Sequence, residues 1–132
     1  MSRDHRKLRV FQMADELVLR VYHATRGLPV EERSGLQAQI RRAAVSSASN
    51  IVEGCARKST GEYRHFINVA LGSAAEARYL LSVAHRLHML RDSVPDLDRS
   101  YEALVSSLQK PQISLIETRQ DPRTPNPLSP KP

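Results

Sequence analysis

The stretch Gln39-Ile-Arg-Arg-Ala-Ala-Val-Ser-Ser-Ala-Ser-Asn-Ile-Val-Glu-Gly-Cys55 decides the fold. Placed on a helical wheel, Ile40, Ala44, Ser47, Ile51 and Cys55 form one broad apolar arc with Ala48 and Val52 at its edge, the pattern of a helix packed along one side. Arg41 falls inside that arc. On the segment that follows, Phe66, Val69, Ala70, Ala77, Leu80, Val83, Ala84 and Leu87 line a second arc, and Glu76 projects from its middle. The two segments meet at the polar turn Arg57-Lys58-Ser59-Thr60, and an antiparallel return through it sets Arg41 level with Glu76. A buried charge needs a partner, so the expectation is a desolvated Arg41–Glu76 pair that fixes register or partner choice. Its role is architectural rather than catalytic.

Outward from this core, two more helices are readable. Leu8, Phe11, Ala14, Leu17, Val18, Val21, Tyr22 and Thr25 recur at helical spacing until Gly27 and Pro29 stop the pattern. The second helix is expected from about Glu32 to Cys55, with Pro29, Glu31 and Glu32 as an acidic start. The third begins at Ser59 or Thr60, where Ser59 and Glu62 have the spacing of a capping box, and continues to about Leu90. The fourth starts at Asp96 or Leu97 and carries Leu97, Tyr101, Leu104 and Leu108, the seam of an antiparallel bundle. Pro111 ends it. Ile113, Leu115 and Ile116 form a short apolar piece, and from Arg119 onward five of the eight prolines crowd together, which predicts a disordered Pro-rich tail over 119–132. Four amphipathic helices with short connections predict an all-α, antiparallel up-down-up-down four-helix bundle over 1–118.

Composition agrees with one helical domain. The chain has 132 residues, 40% apolar, 26% charged and 5% aromatic, with no Trp. Its single cysteine, Cys55, excludes an intrachain disulfide and reads as a small buried residue. No stretch has the length of a signal peptide's apolar segment or a membrane span, so a cytoplasmic protein without membrane contact is expected. The net charge of +6 and the pI of about 10.0 favour acidic partners. Most of the excess lies before Ser59, and Arg far outnumbers Lys, which suits bidentate phosphate or carboxylate contacts.

The elements Gln39-Ile-Arg-Arg-Ala-Ala, Ser46, Asn50-Ile-Val-Glu-Gly54, Phe66 and Ala70-Leu-Gly-Ser-Ala-Ala-Glu76 closely resemble the bacterial four-helix-bundle proteins of the S23, or 23S rRNA intervening-sequence, family over about residues 8 to 110. Val52 stands where the family usually has Ala. The resemblance implies a bundle that assembles into ring-like homo-oligomers, pentamers by family precedent. Related accessory proteins of diversity-generating retroelements bind a reverse transcriptase and nucleic acid, so a reverse transcriptase is among the partners it implies, although this chain looks more like the intervening-sequence branch.

Arg64, Arg78 and Arg86 share one outward sector of the third helix, from which that helix's own acids are absent. Arg42, Arg57 and Lys58 extend the basic character along the second helix and the turn, with Glu53 between them. Scattered charge ordinarily means a solvated face, but a single-sign stripe and a high pI point to a phosphate-binding surface, backbone-directed because no aromatic residue is interleaved. Asn50 and Glu53 read as a bundle hydrogen-bond network or subunit contact. Gly54 reads as a packing or C-cap glycine.

Glu62-Tyr-Arg-His65 is one half of a di-iron pattern whose second half is missing, and His85 with His88 lack a third ligand, so neither a metal nor another cofactor is expected. The expected function is a non-enzymatic oligomeric scaffold that binds nucleic acid or an acidic protein partner. The competing reading is a metal-independent HEPN-like ribonuclease in which Arg78 neutralises phosphate and His85 moves protons.

Overall fold

The computed structural model describes residues 3–90 and 94–110. They form four α-helices: α1 Arg9–Ala24, α2 Leu36–Cys55, α3 Thr60–Arg86 and α4 Val94–Gln109, with short 3-10 turns at His5–Lys7 and Val30–Glu32. Each helix packs on its neighbour in sequence and α1 closes against α4, the ring order of an up-down-up-down bundle. The Pro-rich tail, Pro111 and the apolar piece around Ile113 lie outside the described residues.

The core is built from heptad-like spacing. On α3 the buried positions are Tyr63, Ile67, Ala70, Ala74, Ala77, Leu80, Leu81 and Ala84. They face Ile40, Ala43, Ala44, Ser47, Ala48, Ile51, Gly54 and Cys55 of α2. α4 contributes Leu97, Tyr101, Leu104 and Leu108, the seam its spacing predicts. Tyr63 and Tyr101 are wholly buried together with many alanines, a mixture of large and small side chains that suits close helix packing. Gly54 is a packing glycine rather than a cap: a Cβ there would lie 3.0 Å from Phe66 Cβ and 3.3 Å from the Tyr63 carbonyl oxygen. Cys55 is buried, as its residue type predicts.

The helix ends follow local chemistry. Ser59 Oγ accepts from the Glu62 amide at 3.0 Å, the serine half of the predicted capping box, and donates to Glu62 Oε1 at 3.1 Å, so that carboxylate meets the Ser59 hydroxyl. α2 starts later than expected, at Leu36, because Val30–Glu32 closes a separate turn; Glu32 Oε1 then accepts from the Leu36 amide at 3.0 Å and caps α2 from outside. α3 stops at Arg86 instead of running to Leu90. The His88 amide donates to the His85 carbonyl at 2.9 Å and the Met89 amide to the Ala84 carbonyl at 2.9 Å, a Schellman ending with His88 at φ 59° where glycine is usual.

The predicted Arg41–Glu76 pair is not formed. Glu76 is exposed, because the buried face of α3 centres on Ala70, Ala74 and Ala77, and Glu76 is turned away from it by one residue's rotation. Arg41 is half-buried and turns to the opposite flank of α2, where α1 lies. Its Nε donates to Thr25 Oγ1 at 2.9 Å and its Nη2 to the Tyr22 carbonyl at 3.1 Å, and its guanidinium lies 4.4 Å from the centre of the Tyr22 ring. Arg41 therefore fastens α2 to the end of α1. Thr25, wholly buried, links the two by also donating its hydroxyl to the Val21 carbonyl at 2.7 Å.

Candidate nucleic-acid interface

The residues predicted to carry function fall on three different surfaces. Arg64, Arg78 and Arg86 do share the outward side of α3, but α4 lies along its margin. Arg78 Nε donates to Asp98 Oδ1 at 2.8 Å and its Nη2 to Asp98 Oδ2 at 3.2 Å, with Glu102 Oε2 at 3.6 Å. This fork holds the Asp98 carboxyl below the ordinary carboxylate range and raises the Arg78 guanidinium above its own. The stripe expected to be all basic is thus interrupted by acids from the neighbouring helix. Arg86 is exposed and, among the described residues, donates only to the Ser82 carbonyl of its own helix, at 3.3 Å. Arg64 is exposed.

At the turn between α2 and α3, Arg57 Nη2 donates to Glu53 Oε2 at 3.1 Å, and the Arg57 guanidinium lies 4.9 Å from the centre of the Phe66 ring. Arg3 reaches the same end, its guanidinium 4.1 Å from the centre of the Tyr63 ring. Lys58 is exposed and has no partner among the described residues. Glu53 therefore belongs to a surface pair with Arg57, separate from Asn50. Asn50 Nδ2 donates to the Ser46 carbonyl at 2.8 Å and to Ser46 Oγ at 3.0 Å, and Ser46 Oγ shares a hydrogen bond of 2.7 Å with Ser73 Oγ. That chain of hydroxyls and amide ties α2 to α3 and is structural. It also confirms the antiparallel register of the two helices to within about one helical turn.

The third surface was not legible from one helix alone. Between the end of α1 and the outer face of α2 lies a groove of about 610 Å³, lined among others by Tyr22, Arg33, Gln37, Arg41, Arg42 and Ser49, and by no carboxylate. Arg33 and Arg42 are exposed, and their side chains make no hydrogen bond or ion pair among the described residues. The signal in the sequence was there in pieces, Tyr22 near the end of α1 and the basic residues before and within α2, but only the α1–α2 packing brings them to one place.

Among the described residues, no group of three or more His, Cys, Asp or Glu is placed to hold a metal ion. His85, offered with Arg78 as a ribonuclease pair, is exposed, and its companion is engaged by Asp98. No helix of the described residues is long and apolar enough to cross a membrane.

Comparison with known proteins agrees with this architecture. No curated protein is significantly similar to the chain. Among solved structures, a protein of unknown function from the S23 ribosomal protein family of Bacteroides thetaiotaomicron VPI-5482 superposes with a TM-score of 0.67 at 24% identity, over 75% of this chain and 94% of that one. The model of the family described as 23S rRNA-intervening sequence protein matches residues 6–110, which spans all four helices. The chain belongs to the 23S rRNA-intervening sequence protein family.

Proposed function

We propose that this protein is a non-enzymatic, self-associating scaffold whose arginine-rich exterior binds the phosphate backbone of nucleic acid. The observation that carries the reading is the state of its surface cations. Arg42 and Lys58 have no partner among the described residues, and Arg86 has only a carbonyl of its own helix. Such donors, on a chain of net charge +6, gain by exchanging counterions for phosphates. Arg78 contributes little to this surface, because Asp98 and Glu102 already neutralise it. The same engagement argues against the ribonuclease alternative, which needs that guanidinium free to meet a phosphate.

Self-association has its own support. Val69 and Tyr79 of α3 and Leu87 at its C-cap are exposed at 38%, 61% and 55%, large apolar side chains on one side of the helix with Glu76 among them. The small residues Ala70, Ala74 and Ala77 are not part of it, because they are spent inside the bundle. The family likeness implies a homo-oligomer, a pentamer by precedent, and the cytoplasm is the location the sequence reading assigns it. An acidic protein is the alternative occupant of the basic surface, and a reverse transcriptase is the partner that the family likeness adds.

Two measurements test the reading. Light scattering should give a mass several times that of the chain at micromolar concentration, and a monomer refutes self-association. Replacing Arg42, Lys58 and Arg86 together by Gln should weaken binding to duplex DNA and flatten its salt dependence by about 0.9 in log–log slope per lost contact. Wild-type protein that binds no nucleic acid at low salt refutes the binding role, and cleavage of RNA by pure protein, lost in His85→Ala, would replace the scaffold with the ribonuclease.

A further inference from the structure

We infer that the groove between α1 and α2 is a subsite for single-stranded nucleic acid, in which Tyr22 and Arg41 offer a stacking platform for a base while Arg33 and Arg42 take the flanking phosphates. The inference rests on the nucleic-acid reading above and gives it a location and a strand type.

The groove is a shallow, open surface feature of about 610 Å³, the shape that suits an extended strand better than an engulfed small molecule, and its charge is of one sign. Three guanidinium groups line it and no carboxylate does. This separates it from the other basic surfaces, where Glu53 answers Arg57 and Asp98 answers Arg78. The mutual repulsion of an acid-free wall of arginines is relieved when an anion binds, so charge complementarity selects a polyanion.

The aromatic component selects the strand type. Tyr22 keeps 41% of its surface exposed although it is the largest side chain in the groove. The Arg41 guanidinium is fixed over its ring at 4.4 Å by hydrogen bonds to Thr25 and to the Tyr22 carbonyl, so the platform is ordered before any ligand arrives. Arg41 Nη1 has no partner among the described residues and remains available to a phosphate or a base edge. A base of a single strand can extend such a Tyr–Arg stack, whereas a base within a duplex is already stacked on both faces. Gln37 and Ser49 add neutral hydrogen-bonding groups along the lining, of the kind that contact sugar and phosphate. An acidic peptide would satisfy the arginines but has no use for the exposed ring.

The test is fluorescence anisotropy with a labelled single-stranded uridine oligomer, its duplex of equal length, uridine monophosphate and poly-glutamate as probes. Tyr22→Leu should weaken single-strand binding about ten-fold, within the range for one stacked base, with recovery in Tyr22→Phe and no change for the duplex. Arg33→Gln with Arg42→Gln should flatten the single-strand salt slope by about 1.4, the loss of two contacts. Tyr22 and both arginines are exposed, and circular dichroism of each variant checks that the bundle is intact. If the wild type binds the oligomer and all groove variants bind it equally well, the groove is not the site, while the wider arginine-surface reading stands. If the wild type binds neither single strand nor duplex, both readings fall. Poly-glutamate displacing the oligomer at equal charge, or uridine monophosphate binding as tightly as the oligomer, overturns the strand as occupant.

Discussion

Arg41 and Glu76 give opposite expectations for two charged residues that the wheel alone treats as a pair. Changing Arg41 to Met keeps the aliphatic stem and removes the guanidinium. The bond to the wholly buried Thr25 hydroxyl is lost, and a hydrogen bond to a charged group contributes about 1.5–3 kcal/mol. The contact with the Tyr22 ring adds about 0.5–1 kcal/mol at a partly exposed site. The bond to the Tyr22 carbonyl is exposed, and water replaces much of it. Thr25 still donates to Val21, so no donor is stranded. The expected loss is about 2–3 kcal/mol. Glu76→Ala touches only an exposed side chain and should stay within about 0.5 kcal/mol.

Urea unfolding at one fixed protomer concentration, so that any association is held constant, reads both. A double-mutant cycle sharpens the contrast. Arg41→Met with Thr25→Val should show a coupling of about 1 kcal/mol, and Arg41→Met with Glu76→Ala none beyond error. A loss above about 2 kcal/mol for Glu76→Ala, with strong coupling to Arg41, would restore the buried ion pair and refute the α1 anchor.

Two further outcomes follow from the helix ends and the α3–α4 margin. His88→Gly should stabilise the bundle by about 1 kcal/mol, because a non-glycine residue at φ 59° bears the steric cost of the left-handed region; thermal or urea unfolding showing no gain would mean that the His88 side chain compensates with contacts of its own. Asp98 has its folded value lowered by Arg78, so its contribution is full above the unfolded carboxylate value of about 3.9 and is lost as pH falls through the folded value. With Asp98 half-exposed, Asp98→Asn should cost below about 1 kcal/mol at neutral pH and nothing in strong acid, and an unchanged acid-side stability profile would remove the pair from the stability account.

The elements themselves were largely legible in the sequence. The seam Leu97, Tyr101, Leu104 and Leu108 is buried as its spacing requires, and Ser59 caps α3 through the Glu62 amide. The orientation of α3 was legible only in part: Ala70, Ala77, Leu80 and Ala84 of the expected arc are buried, whereas Val69 and Leu87 are exposed. Its sequence is apolar on two sides, with Tyr63, Ile67, Ala74 and Leu81 on one and Val69, Tyr79 and Leu87 on the other, and a wheel cannot say which side meets the bundle. Rotating α3 onto its true face moved Glu76 into solvent and dissolved the predicted pair. The end of α3 was misplaced for a different reason. His88 adopts a backbone state that its residue type does not announce, so nothing in the sequence marks the stop. Interhelical chemistry was the least visible part: Arg78 meets its acids on α4, and Arg41 its acceptors on α1.

Those interhelical contacts decide which positive charges are free to act. α4 presents Asp98 and Glu102 one turn apart toward α3, so the basic stripe of α3 is partly cancelled where the two helices meet. α1 offers α2 a carbonyl and a hydroxyl instead of carboxylates, so Arg41 is held in place while keeping its full charge. The same residue type is therefore neutralised on one flank of the bundle and only oriented on the other. Arg41, fixed yet uncompensated, stands beside the Arg33 and Arg42 side chains, unpartnered among the described residues, so the α1–α2 side is a source of positive field although the single-sign stripe in the sequence had pointed to α3. Which face binds a polyanion is thus set less by the number of arginines on a helix than by what the neighbouring helix supplies to meet them.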